Sequence, residues 1–152
     1  MYFLCKIKTE KLSQQDGVPH LVSESYLVDA LTFAEAETKV LTEQTPFASG
    51  GIEVVACKKV KLTGLVDSDN SAADRWYKIK VMFVSFDEEK QTEKRIANYF
   101  YVHSTSLLSA VKLFEDVEMK NWQTDYDVVS VSDTPIMDVY LYNSDNNIRK
   151  QQ

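Results

Sequence analysis

Shifted against itself by 74 residues, without gaps, the chain repeats its own apolar pattern from its first strand-like stretch to its last. Tyr2 and Phe3 fall on Trp76 and Tyr77. Cys5, Lys6 and Ile7 fall on Ile79, Lys80 and Val81, and Tyr26, Leu27 and Val28 fall on Phe100, Tyr101 and Val102. Phe33 meets Leu107, Ala36 meets Ala110, Val40 meets Phe114, and Val54-Val55 meets Val128-Val129. Identities are few, but one offset holds across every apolar stretch. Such a pattern points to two copies of one supersecondary unit.

Each copy reads as ββαβ. Residues 2–12 alternate and are rich in β-formers, as a half-buried strand requires. A polar stretch from Ser13 to His20, with the turn signal Asp16-Gly17, leads to a second strand at 22–30. Thr32 and Glu35 have capping-box spacing: the threonine oxygen takes a backbone N–H, and the glutamate reaches back to the cap's own N–H. Phe33, Ala36, Val40 and Leu41 then give the stripe of a helix packed on a sheet. Gly50-Gly51 gives the backbone freedom to leave that helix, and a third, long strand covers 52–66, bent near Gly64. The second copy has strands at 76–87 and 95–103 and a charged turn at 87–90. Its helix is capped by Ser106, with a stripe of Leu107, Ala110, Val111, Phe114 and Val117. A last strand at 126–133 resumes after Pro135. The expected class is α+β: an internal duplication of a ββαβ unit, with antiparallel sheet or sheets and two helices packed on one side. The expected layout is one compact domain, with repeat one at 2–66, a polar linker at 67–75, repeat two at 76–142 and a frayed tail at 143–152.

Hydrophobic residues make up 44% and charged residues 26% of the 152, which places the chain among ordinary globular proteins rather than disordered ones. No segment approaches the run of about 20 apolar residues that a membrane-spanning helix needs. The alternating start, Met1 to Lys8, lacks the layout of a signal peptide, so a cytoplasmic protein is expected. Cys5 and Cys57 are not in a CxxC pair, and reduced, semi-buried thiols are the expectation for them. A net charge of −6 argues against a general nucleic-acid coat but leaves room for a local basic face.

Familiar catalytic constellations are missing. Two histidines, His20 and His103, have no cysteine at ligand spacing, and four glycines form neither a P-loop nor a dinucleotide fingerprint. Glu88-Glu89-Lys90 matches the E-x-K half of a metal-dependent nuclease site, but it falls in the charged turn and reads as solvated. Asp125, Asp127, Asp133 and Asp138 form an acidic group that reads as turn-formers and edge protection. His103, alone at a strand end, reads as a packing or surface residue. No enzyme, metal or cofactor is expected.

The run SYLVDALTFAEAE from Ser25 to Glu37, the segment Ile136-Met137-Asp138-Val139 and the aromatic-led first strand together resemble domain-of-unknown-function family 4494. The likeness covers nearly the whole chain. It implies a short protein of Bacteroidales bacteria and their crAss-like gut phages, acting in the host cytoplasm. The family has no established activity, so the resemblance transfers no catalytic residue.

Alternation also gives one binding signal. Tyr2, Lys6 and Lys8 share one face of the first strand, and Trp76, Lys78 and Lys80 share the matching face of its counterpart. Arg95, Tyr99 and Tyr101 join them from the next strand, with Lys59 and Lys61 adding charge. The helices carry the opposite sign, with Glu35, Glu37 and Glu43 in one and Glu115, Asp116 and Glu118 in the other. Rings that stack on bases beside lysines that neutralise phosphates suit single-stranded nucleic acid. The expected function is non-catalytic, single-stranded nucleic-acid binding in phage or mobile-element replication. Tyr2, Trp76, Tyr99 and Tyr101 would stack, and Lys6, Lys8, Lys78, Lys80 and Arg95 would hold the backbone. The competing reading is a protein-interaction module, a host-enzyme inhibitor or virion component, that uses the same aromatic face as hot spots. That face also admits a homodimer.

Overall fold

The computed structural model describes residues 1–142 and the backbone of 148–150. It is an α+β protein with two sheets and two short helices. The strands are β1 (Tyr2–Leu12), β2 (Pro19–Asp29), β3 (Ile52–Val60), β4 (Gly64–Asp67), β5 (Arg75–Asp87), β6 (Thr92–Ser104), β7 (Asp125–Asp133), β8 (Ile136–Tyr140) and β9 (Ile148–Lys150). The helices are α1 (Phe33–Gln44) and α2 (Leu107–Leu113). Of the tail expected to fray, 148–150 form β9, and 143–147 and 151–152 lie outside the described residues.

The chain divides into two compact units, Met1–Lys61 with Pro135–Ser144, and Leu62–Thr134 with Asp145–Gln152. The first holds a sheet of order β3-β1-β2-β8, the second a sheet of order β7-β5-β6-β4-β9. The third strand expected over 52–66 is therefore two strands. β3 pairs antiparallel with β1, whereas β4 pairs parallel with β6 in the second unit. In return β8, which follows β7 in sequence, pairs parallel with β2 in the first unit. The sheets are thus mixed rather than purely antiparallel. The break at 61–63 follows from pairing. The Thr63 N–H donates to the Tyr99 carbonyl, and Thr63 Oγ1 accepts from the Tyr99 N–H. Gly64 lies against the Phe100 ring, where a Cβ would stand 3.3 Å away.

Registers in the two sheets correspond at the same offset of 74. Cys5 opposes Tyr26 and Cys57, while Ile79 opposes Phe100 and Val131. A bulge lies between Lys6 and Ile7 in one and between Lys80 and Val81 in the other. Tyr26 meets Asp138 in one parallel pair, and Phe100 meets Gly64 in the other.

Each helix covers one face of its own sheet. Phe3, Cys5, Ile7, Tyr26, Val28, Ala30, Ala36 and Val40 form the first core. Val66, Tyr77, Ile79, Val81, Phe100, Val102, Ala110, Leu113, Phe114 and Met119 form the second. Two residues of the expected stripes depart from it. Phe33 stays half-exposed, edge-on to Phe3 at 4.8 Å, and Leu107 is also exposed, whereas Leu113 enters the core. α2 ends early because Phe114–Glu118 widens into a π-helical turn, which lets both Leu113 and Phe114 turn inward. The caps form as read, with one change. Thr32 Oγ1 accepts from the Glu35 N–H at 3.1 Å, but the Glu35 carboxylate reaches past the cap to the Leu31 N–H at 2.9 Å. Ser106 Oγ accepts from the Ser109 N–H at 3.1 Å. Neither Gly50 nor Gly51 has a positive φ; α1 exits through a 3-10 turn, Thr45–Phe47, that contains Pro46.

Candidate ligand-binding face

The face of the second sheet opposite α2 carries Trp76, Lys78 and Lys80 from β5 and Arg95, Tyr99 and Tyr101 from β6, as alternation required. Cross-strand register places Lys80 opposite Tyr99 and Lys78 opposite Tyr101. Both ammonium groups lean onto the Tyr99 ring, Lys78 Nζ at 4.9 Å and Lys80 Nζ at 5.9 Å from its centroid. Cation–π contacts at such partly exposed sites are worth only about 0.5–1 kcal/mol. No carboxylate of the described residues lies within ion-pair distance of either lysine. Ser130 and Ser132 of β7 stand opposite Lys80 and Lys78 on the other side.

Two of the expected stacking residues are not available. Trp76 is 3% exposed, its indole stacked on the His103 imidazole at 4.7 Å and 10° between planes. Tyr101 is 5% exposed, and burial pushes its phenol up from the usual tyrosine range. Strand alternation assigns a face but not what covers it, and in β4 the neighbouring Leu65 on that face is also buried. Arg95 is exposed but engaged, at 3.1 Å from Asp127. Asp133 is likewise taken, by Arg75 at 2.7 Å.

Tyr2, Lys6 and Lys8 belong to the first sheet and are not part of this cluster. Lys6 and Lys8 are exposed on the face opposite α1, facing Ser25 and Ser23 of β2. Tyr2 is half-buried opposite Asp29, and burial with that carboxylate pushes its phenol up to about 12. Lys59 opposes Phe3 and so lies on the helix side, contrary to expectation. Glu118 is buried, accepting from Trp122 Nε1 at 3.4 Å, so it does not add to an acidic helix surface.

Other groups gain their partners only in the fold. His103 Nδ1 lies 2.8 Å from Asp67 Oδ1, a pair created by the unforeseen β4–β6 pairing. Beneath α1, Lys11 pairs with Glu24 at 2.7 Å, Tyr26 donates to Glu24, and Gln44 donates to the Tyr140 hydroxyl at 2.5 Å. Cys5 and Cys57 bring their Sγ atoms to 3.1 Å. A shallow cleft of about 460 Å³ runs between α1 and the chain after β8, lined by Ala30, Ala34, Thr38, Thr42, Leu141 and Tyr142. Its charged neighbours are committed: Glu35 to the cap of α1, Lys39 to Glu43 and Asp29 to the N-terminal amine. The Glu88-Glu89-Lys90 segment is a turn, with Asp87 Oδ1 accepting from the Glu89 and Lys90 N–H groups. Among the described residues no helix is long and apolar enough to cross a membrane.

Two mixed sheets, each backed by one short helix, define a two-unit α+β protein whose second sheet carries a lysine–tyrosine cluster with no ion-paired carboxylate among the described residues, on a face that also bears Glu93, Asp125 and Asp127. The chain belongs to the family described as Domain of unknown function (DUF4494), which matches residues 1–142. Comparison with curated proteins gives no match.

Proposed function

We propose that this is a non-catalytic protein that binds single-stranded nucleic acid, as part of phage or mobile-element replication in the host cytoplasm. The observation that carries the reading is the convergence of Lys78 and Lys80 on Tyr99 with no carboxylate of the described residues within ion-pair reach. A phosphate offers these ammonium groups a full negative charge in place of a ring quadrupole. The lysines then swing to the backbone and free the Tyr99 ring for a base. Recognition is led by the backbone, with Lys78, Lys80 and Tyr99 in the second unit and Lys6 and Lys8 as further cations in the first. Trp76 and Tyr101 drop out as stacking groups because they are buried. We also propose that the chain arose by duplication of a ββαβ unit. The shared offset of register, bulge and helix cap supports this, since such a set depends on many separate residues.

A labelled oligothymidine, titrated at low and at physiological salt and read by anisotropy, tests the binding. The wild type should bind at low salt and weaken as salt rises. Lys78→Ala with Lys80→Ala should weaken binding and flatten the log–log salt slope by about 1.4, from two phosphate contacts at about 0.7 each. Absence of binding at low salt retires the reading. A second reading, docking of a protein, is favoured by Leu107 and by Leu108, which is 85% exposed. Leu108→Glu should then abolish capture of the partner and leave oligothymidine binding unchanged.

A further inference from the structure

We infer that Cys5 and Cys57 form a redox site: a cross-strand dithiol that a small-molecule disulfide converts reversibly to an intramolecular disulfide bridging β1 and β3. The two residues are direct partners in the antiparallel register, with Sγ atoms 3.1 Å apart. Bonded sulfurs sit at about 2.05 Å, so closure needs a movement of only about 1 Å. The β-bulge that begins at the next step of the same pairing, where Lys6 opposes Ala56 and Ile7 opposes Val54, leaves Val55 of β3 outside regular pairing. That gives the strand local freedom for the approach.

Packing alone does not call for sulfur here. The corresponding place in the second sheet holds Ile79 opposite Val131, an aliphatic pair at the same register beneath the other helix. The two thiols also differ in access. Cys5 is fully buried in the first core, while Cys57 is half-buried on β3, which stands at one end of the strand order. Access therefore assigns the order of events. The Cys57 thiolate attacks one sulfur of the small-molecule disulfide, forming a mixed disulfide and releasing one small thiol. Cys5 then gives up its proton and attacks the Cys57 sulfur. The mixed bond breaks and a second small thiol leaves. Two protein thiols are oxidised and one small disulfide is reduced to two thiols. Burial raises the Cys5 thiol above its usual range, so the second step is the slower one.

The test is intact-mass spectrometry of the full chain after exposure to oxidised glutathione under native conditions. The wild type should end as a monomer lighter by two hydrogens, with no retained glutathione, and should return to the dithiol with excess reduced glutathione. Cys5→Val, which puts an aliphatic side chain where the second sheet carries Ile79, should stop with one glutathione on Cys57. Cys57→Ser should stay unmodified. A wild type that keeps both thiols, retains glutathione as the stable product or forms intermolecular disulfides would overturn the inference. Because the wild type alone gives this result, a variant that fails to fold does not weaken the test.

Discussion

The Trp76 indole lies flat on His103, whose ring is held in turn by Asp67, and its own carbonyl accepts from the Thr134 hydroxyl at 2.6 Å. An aromatic ring this buried belongs to stability rather than to ligand contact. Trp76→Ala should cost about 3–5 kcal/mol in urea unfolding, and the protein that remains folded should bind oligothymidine as the wild type does. Burial acts on the tyrosines too. It raises the phenols of Tyr2, Tyr26, Tyr101 and Tyr140 above their usual range, with Asp29 adding to the effect at Tyr2 and Glu24 at Tyr26. Unfolded tyrosines ionise near pH 10. Above that pH the unfolded chain releases protons that the folded chain keeps. Stability is therefore full below about pH 10 and falls as pH rises toward the folded value, about 12 for Tyr2. Urea midpoints at about pH 8 and about pH 11 should show this loss, and Tyr2→Phe should show a smaller one.

Both helices are short, at 12 and 7 residues, so their ends matter. Helices of this length are marginal without capping and tertiary packing. Thr32→Ala and Ser106→Ala should each lower stability by about 1 kcal/mol, read as a shift in urea midpoint at unchanged m-value. The caps were legible because a cap is a local pattern of side-chain oxygen and spacing. β1 also spans 2–12 as its alternation indicated, since one buried face fixes the phase of every side chain. The division of 52–66 was not legible. Its residues favour extended backbone throughout, and β-propensity does not say which strand they will join.

Residues 68–74 connect β4 to β5 within the second unit, whose main run begins at Leu62, while the first unit draws β8 from beyond its own main run of sequence. A proteolytic nick in 68–73 leaves β4 on the N-terminal fragment and β8 on the C-terminal one. Each fragment then supplies a strand to the other's sheet. The two should co-elute in native size-exclusion chromatography and separate in denaturant. Fragments that separate natively would show that the parallel pairings of β4 and β8 do not hold the nicked chain together.

Legible in the residue order alone were the long strands β1, β5 and β6 with the faces they turn to their helices, the capping residues Thr32 and Ser106, and the shared 74-residue offset. All of these arise from periodicity and from contacts a few residues apart. Long-range packing set the rest: β4 leaves the strands before it to pair with β6, β8 returns to the sheet of the first strands, Trp76 and Tyr101 are covered, and Cys5 meets Cys57. Each of these depends on pairing between residues tens of positions apart, and a one-residue slip in register would turn every side chain concerned to the other face.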